Sequence, residues 1–313
     1  VLGFGREGRS TYDIIRHNLP DKHIGIADMR EVTVHDDNVT LHCGANYLDA
    51  IKEYDTVIKT PGMSFKDVVV PEGVEVTCQT DLFLRFSDCV CVGVTGTKGK
   101  TTTSTLIYGM VKQSGKKACL IGNIGVPVLD SLENEQVDVA VIEMSSHQLE
   151  FTTASPHVAV MTNIYPEHLD HHNGFEGYIG AKLNIIRYQN EDNLFISNAD
   201  QLLETVVGDL SFVRSRRVNV SRKAYENDAF FKKLTTLTEA LPGEHQWQDI
   251  FFAATAVREF GVSDEAIEKA VSEFGGIEHR LEKFAVKNGI SFYDDAIATI
   301  PNAVIGNVKA LGN

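Results

Sequence analysis

The stretch Gly93-Val-Thr-Gly-Thr-Lys-Gly-Lys-Thr-Thr-Thr103 constrains the fold more than any other part of the chain. An apolar run, Val90–Val94, leads into it, and a helix-forming run, Thr101–Ser114, leads out. Glycines between a buried strand and a helix gather backbone N–H groups at a helix N-terminus, where the macrodipole favours anions. The strict phosphate-loop spacing, G-x-x-x-x-G-K-[ST], puts Val94 where its first glycine belongs, so the motif is near rather than complete. Gly96 and Gly99, with Thr97 and Lys98 between them, let the backbone approach phosphate oxygens. Lys100 would lie along the outer phosphates, and Thr101 or Thr102 offers a hydroxyl to Mg2+.

A second glycine loop opens the chain. Gly3-Phe4-Gly5-Arg6-Glu7-Gly8 follows a strand-like segment, Val1–Phe4, and precedes a helical run from Arg9 to Asn18. Asp28 closes the next strand, His23–Asp28, at the spacing expected of a ribose-binding acid in a dinucleotide fold. Lys59-Thr60-Pro61-Gly62-Met63 adds a glycine turn after the strand Thr56–Lys59, beside the same crevice. Read by itself, the front loop suggests a nicotinamide-dependent dehydrogenase. Doubly wound folds use the same spacing for many phosphates, however, and no histidine–arginine pair for an oxidisable substrate accompanies it.

Short apolar runs alternate with helix-like stretches along the rest of the chain. Strands are expected at Ala118–Ile121, Val137–Glu143, Val158–Asn163 and Asn193–Ser197, and helices at Tyr47–Glu53, Phe175–Gln189, Trp247–Phe260 and Ser263–Phe274. Such alternation predicts an α/β fold with parallel sheets, and runs such as "VDVAVIEM" suit strands buried on both faces. At 313 residues the chain exceeds one typical domain. Residues 1–90 are expected to form a Rossmann-like doubly wound sheet, and 91–282 a central P-loop mononucleotide-binding α/β domain. Residues 283–313 would begin a third α/β domain, because about thirty residues cannot bury a core of their own. Residue 1 already falls in a strand-like segment, so a few residues are expected to precede it.

Net charge is −14, from 29 basic and 43 acidic side chains, which repels phosphate backbones and anionic membranes. Neither nucleic acid nor membrane is an expected partner, and no apolar run approaches the ~20 residues of a spanning helix. Five cysteines, Cys43, Cys78, Cys89, Cys91 and Cys119, form no C-x-x-C pair and read as unpaired thiols of a cytoplasmic protein.

Three polar clusters follow the central loop. "IEMSSHQLE" puts Glu143 at the C-terminal end of a buried strand, where open α/β sheets bind ligands and a carboxylate suits Mg2+. "TNIYPEHLDHH" follows another strand and supplies His168 and Asp170. "GYIGAKLNII" carries Lys182 in mid-helix, which by itself reads as a surface lysine.

In order, "GFGREGRS", "ADMR", "TPG", "GVTGTKGKTTT", "GNIG", "EMSSHQLE", "EHLDHH", "AKLNII", "LPGEH", "HRLE" and "YDDAIAT" resemble the signatures of the Mur ligase family, which adds amino acids to cytoplasmic precursors of bacterial peptidoglycan. The resemblance covers essentially the whole chain. It implies that the displaced glycine is normal, because the family's loop reads G-T-x-G-K-[ST]-[ST]. Gly96, Thr97, Lys98, Gly99, Lys100, Thr101 and Thr102 would then hold ATP, with Arg280 and Asp295 on its far side. Thr101 and Glu143 would bind Mg2+, and His168 would belong to a second metal site with Lys182, the lysine the family carbamylates. Lys100, Lys182 and His168 would be the catalytic groups.

The resemblance also reassigns the front loop to the uridine diphosphate end of a sugar substrate. Gly5, Arg6, Gly8 and Ser10 would face the diphosphate, Asp28 and Arg30 the uridine, and Thr60, Pro61 and Gly62 the opposite wall. Asn123, Ser145, Ser146 and Gln148 would contact the muramoyl-alanine arm. The implied reaction is ATP-dependent amide formation through an acyl phosphate. Its substrates would be UDP-N-acetylmuramoyl-L-alanine and glutamate, the D-isomer first, and its catalyst a cytoplasmic monomer.

Two stretches depart from the family pattern. Its "HN..N" appears as His245-Gln246-Trp247-Gln248-Asp249, and its "ND-S-K-A-T" as Asp294-Asp295-Ala296-Ile297-Ala298-Thr299, without serine or lysine. The alternatives are therefore a related ligase adding another residue such as L-glutamate, or a nucleotide-gated ATPase without ligase activity. Folylpolyglutamate synthetase shares the loop and the carbamylated lysine but lacks the front nucleotide domain.

Overall fold

The computed structural model describes residues 1–124, 126–133, 137–201, 203–296, 298 and 301–312. Gly125, Ile297 and Thr299 of the quoted motifs lie outside the described residues. In chain order the elements are α1 (Arg6–Asn18), β1 (Ile24–Asp28), β2 (Val39–Cys43), a 3-10 turn (Tyr47–Glu53), β3 (Thr56–Ile58), β4 (Glu75–Thr77) and α2 (Gln79–Phe86). There follow β5 (Val90–Thr95), α3 (Lys100–Gln113), β6 (Ala118–Gly122), a second 3-10 turn (Val128–Glu133), β7 (Val139–Glu143), α4 (Ser146–Leu149), β8 (Val158–Met161), α5 (Phe175–Arg187) and β9 (Leu194–Asn198). The last are α6 (Leu203–Val207), β10 (Arg216–Val220), α7 (Arg222–Glu226), α8 (Ala229–Leu234), α9 (Glu244–Arg258), α10 (Asp264–Ser272), β11 (Glu282–Lys287), β12 (Ile290–Asp294) and α11 (Pro301–Ala310).

A six-stranded parallel sheet, ordered β10-β9-β8-β5-β7-β6, organises the middle of the chain. Strand pleating sends alternate side chains to opposite faces. Val92, Val94, Val139, Val141, Val158 and Val160 pack against α3, α9 and α10 on one face. Cys91, Ala140, Ile142, Ala159 and Met161 pack against α5 and α2 on the other. Both faces are buried, which is why the strands read as unbroken apolar runs. After β5 the chain runs to the edge strand β6, returns to β7 beside β5, then continues on the opposite side through β8 to β10, so the order reverses at β5. The crevice at the carboxyl ends of β5, β7 and β8 is where such a sheet takes ligands.

The front of the chain departs from expectation in two places. The strand expected at Val1–Phe4 contracts to a single bridging residue, Leu2, lying parallel between Ala27 and Lys59. Leu2 N donates to Ile58 O at 2.8 Å and Gly3 N to Ala27 O at 2.8 Å. The segment thus joins the β1–β2 pair to the β3–β4 pair. The helix starts at Arg6 rather than Arg9, because Gly5 is its extended N-cap. Gly8 therefore sits inside α1, where a Cβ would collide with the Gly3 carbonyl.

Several elements were not foreseen, among them β2, β4 and α2 at the front and β10 and α6–α8 further on. β2 and β4 are short and partly polar, and α2 carries charges into a buried position. Asp81 on α2 accepts from Thr77 Oγ1 at 2.8 Å and from Thr153 N at 2.5 Å, tying the front segment to the loop after α4. All five cysteines are unpaired, with Cys78 and Cys91 buried. Among the described residues no helix is long and apolar enough to cross a membrane.

Candidate nucleotide site

Gly99 closes the central loop in the left-handed region, φ 85°, as the N-cap of α3. A side chain there would be strained, and its Cβ would run into Asp249. The wall of the loop is built from the residues after β8. Lys98 N donates to Asn163 Oδ1 at 2.8 Å, Asn163 Nδ2 returns to Lys98 O at 3.0 Å, and Thr97 N donates to Asn163 O at 2.9 Å. Thr162 Oγ1 adds a fourth bond to Lys98 O at 2.6 Å. These bonds fix the loop in its cradle shape ahead of any ligand. The hydroxyls of Thr101 and Thr102 make no hydrogen bond to any described residue.

Two amines converge on one carbonyl. Lys100 Nζ donates to Gly96 O and Thr97 O, each at 3.0 Å. Lys182 Nζ donates to the same Gly96 O at 2.8 Å and to Thr95 Oγ1 at 3.3 Å. Lys182 is only 1% exposed, so the surface reading of this residue is corrected: α5 turns Lys182 inward with Ile179, Leu183 and Ile186. Its Nζ also lies 4.8 Å from the Tyr178 ring centroid. Burial holds the Lys182 amine well below the usual lysine range, and the neighbouring Lys100 ammonium pushes it the same way. Burial lowers Lys100 too, against the pull of Glu143 and Glu167.

Glu143 closes β7 at 1% exposure. Its Oε1 accepts from Asn123 Nδ2 at 2.8 Å, while Oε2 is buried without a partner among the described residues. An orphaned carboxylate oxygen in a buried site is costly, and an oxygen-preferring divalent cation would satisfy it. Together with the free Thr101 hydroxyl, this donor set fits Mg2+. His168 lies less deeply: its φ is 53°, its side chain is half exposed, and its Nε2 is 3.8 Å from Glu167 Oε2. Burial, with Lys182 and Lys100 nearby, lowers its pKa against the effect of Glu167. Glu167, which also pairs with Lys98 at 3.1 Å, went unnoticed in the sequence, as did Asn163. An asparagine closing the strand expected at Val158–Asn163 was the available signal for the latter.

Several expected contacts are spent within the protein. The buried Ser10 hydroxyl donates to Asp130 and accepts from Gln79 at 2.9 Å, so it anchors α1 to the second 3-10 turn and to α2. Ser145 and Gln148 form the capping box of α4, with Gln148 N donating to Ser145 Oγ at 3.3 Å and Ser145 N to Gln148 Oε1 at 3.0 Å. Ser146 pairs with His172 at 2.9 Å. Both Asp295 oxygens are taken, by Leu281 N at 3.1 Å and Asn307 Nδ2 at 2.7 Å. Asp28 shapes the front loop itself, accepting from Phe4 N at 2.7 Å and Arg30 N at 2.9 Å, while the Arg30 side chain stays largely exposed. Thr60, Pro61 and Gly62 form a turn closed by Met63 N on Thr60 O at 3.2 Å. A hollow of about 550 Å³ lined by Val1, Ile15, Tyr54 and Ile58 touches neither Gly5–Gly8 nor the central loop.

Asp249 stands against the loop in place of the family's asparagine. Burial pushes its carboxyl up to about 7, with Arg280 and the Thr103 hydroxyl opposing. In the unfolded chain it would titrate near ~3.9. Between those values the folded state holds the extra proton, so its contribution to stability falls as pH rises through the window and stays low above it. Asp249→Asn removes the charge and keeps an acceptor for Thr103. The variant should melt at least ~2 °C above the parent at pH 8 and gain much less at pH 5; an equal shift at both would overturn the assignment.

A strand-to-helix glycine loop at the reversal point of a parallel sheet defines a P-loop-type α/β protein. The chain belongs to the Mur ligase family, whose middle domain matches residues 94–256, just over half its length. It is 37% identical over 285 residues to the UDP-N-acetylmuramoylalanine--D-glutamate ligase of Acetivibrio thermocellus, covering 85% of this chain and 61% of that one. The same-named ligase of Clostridium acetobutylicum is 36% identical over 291 residues, covering 88% and 63%. The chain thus spans about three fifths of the length of these curated relatives. Among solved structures, the MurF ligase of Thermotoga maritima in complex with ADP aligns with a TM-score of 0.58 at 18% identity, over 96% of this chain and 68% of that one. MurF from Acinetobacter baumannii gives 0.55 at 21%, over 72% and 55%. At such identities the likeness is one of fold.

Proposed function

We propose that this chain carries the nucleotide-binding parts of an ATP-dependent ligase joining D-glutamate to UDP-N-acetylmuramoyl-L-alanine in the cytoplasm, as a monomer. The relatives named for that reaction support the reading. One observation carries it: Lys100 and Lys182 meet at Gly96 O beside a buried Glu143 with an unpartnered oxygen. In this reading residues 1–90 are a Rossmann-like unit for the UDP end, 91–282 the ATPase unit, and 283–313 the start of an amino-acid-binding unit. Exposed Phe284, Val286, Ile290 and Phe292 on the β11–β12 hairpin support the last assignment.

The triphosphate would sit on the N-terminus of α3, with Lys100 Nζ leaving its two carbonyls for the β- and γ-phosphates. Glu143 and Thr101 would hold one Mg2+, and carbamylated Lys182 with His168 would serve a second. Mg2+, when bound, neutralises charge that would otherwise repel the incoming carboxylate. The alanyl carboxylate attacks the γ-phosphorus and the bond to ADP breaks, giving an acyl phosphate. The glutamate amine then attacks that carbonyl carbon, phosphate leaves, and the nitrogen loses its proton. Lys100 stabilises the charge gathering on the bridging oxygen.

Phosphate release by the full-length protein tests this. Release should require both UDP-N-acetylmuramoyl-L-alanine and D-glutamate, with L-glutamate at least ~10²-fold slower. Preference for L-glutamate would reassign the amino acid, and equal release without any amino acid would favour a nucleotide-gated ATPase.

A further inference from the structure

A histidine cluster beneath the 59–66 turn takes no part in that chemistry. His147 on α4 and His171 and His172 in the loop after β8 bring three rings together, with centroids 4.1, 4.6 and 5.3 Å apart. One nitrogen from each lies within 4.8 Å of the others. Glu150 lies beside them, 3.3 Å from His171 Nε2 and 3.8 Å from His172 Nδ1, and Ser146 holds His172 Nε2 at 2.9 Å. The His147 ring makes no hydrogen bond to any described residue. A cavity of about 260 Å³, lined by His171, His172, Glu150, Phe65 and Lys66 among others, opens next to the rings.

We propose that His147, His171 and His172 form a binding site for a divalent transition-metal ion of the zinc class, with the cavity at its open fourth position. Three imidazoles and no ligating oxygen select such an ion over Mg2+. Glu150 is the orienting carboxylate, because Lys59 already neutralises it at 3.3 Å. Carboxylates in that position fix the tautomer and raise ligand basicity. His168 packs 4.7 Å from His147, so this site borders the proposed catalytic one without sharing its ligands.

The test uses metal-free, full-length protein titrated with Co2+ and then Zn2+ in excess Mg2+, with no nucleotide. One Co2+ should bind with the intense d–d absorption of four- or five-coordinate cobalt, and Zn2+ should displace it. His171→Gln and His147→Phe should each weaken binding at least ~10-fold. His279→Gln, in the exposed His279–Glu282–Asp294 group, should leave it unchanged. Melting curves separate ligand loss from unfolding, and either folded histidine variant suffices. Parental affinity in both variants, loss on His279→Gln, or absence of a cobalt spectrum in the parent would overturn the proposal.

Discussion

Replacing Lys100 with alanine should lower ATP-dependent phosphate release by the full-length protein ~10³-fold or more, while UDP-precursor affinity stays within a few-fold. The amine is half-buried at the start of α3 and, among the described residues, bonded to Gly96 O and Thr97 O, so it is held in reserve. Neither carbonyl needs it for the loop's shape, because Asn163 and Thr162 already fix Thr97 and Lys98. The variant should therefore fold with its cradle intact and lose the charge that follows the transferring phosphoryl group. Arginine should not rescue it, since a planar guanidinium does not fit a slot shaped for a point charge. Phosphate release in the alanine variant within tenfold of the parent would remove Lys100 from the chemistry.

What the sequence disclosed follows from how local each feature is. The glycines of the central loop act through their own backbone, and the lysine and threonines follow them directly at the start of α3, so their spacing alone was informative. Glu143 could be placed because "VDVAVIEM" has to be a doubly buried strand, and its last residue has to reach the carboxyl edge. Lys182 could not be read in this way. Its burial depends on which face of α5 meets the sheet, and a lysine stem long enough to thread to Gly96 looks the same in sequence as one reaching water. The partners of Ser10, Ser145 and Gln148 could not be read for the complementary reason: their type suits a ligand, but Asp130, Gln79 and each other are set by tertiary contacts or by a one-turn helix. The histidine cluster joins α4 to a loop more than twenty residues later, so no spacing rule announces it.

Lys182→Ala should cost about as much as Lys100→Ala, and only this loss should be partly repaired by short carboxylic acids. Carbamate formation joins an uncharged amine to carbon dioxide and releases one proton, so a lysine at its usual pKa is a poor acceptor at neutral pH. Burial and Lys100 depress the Lys182 amine and supply the uncharged form. The product places an anion beside the Lys100 ammonium, which attracts it, and the remaining N–H can still reach Gly96 O. Alanine empties that buried volume, leaving room for a formate or acetate to supply the missing carboxylate. Depleting carbon dioxide should slow the parent reversibly, most at low pH where the amine is protonated, and should not slow the carboxylate-rescued variant. Full activity in Lys182→Ala, or a parent indifferent to carbon dioxide at every pH, would mean that Lys182 serves only as an internal donor to Gly96 O.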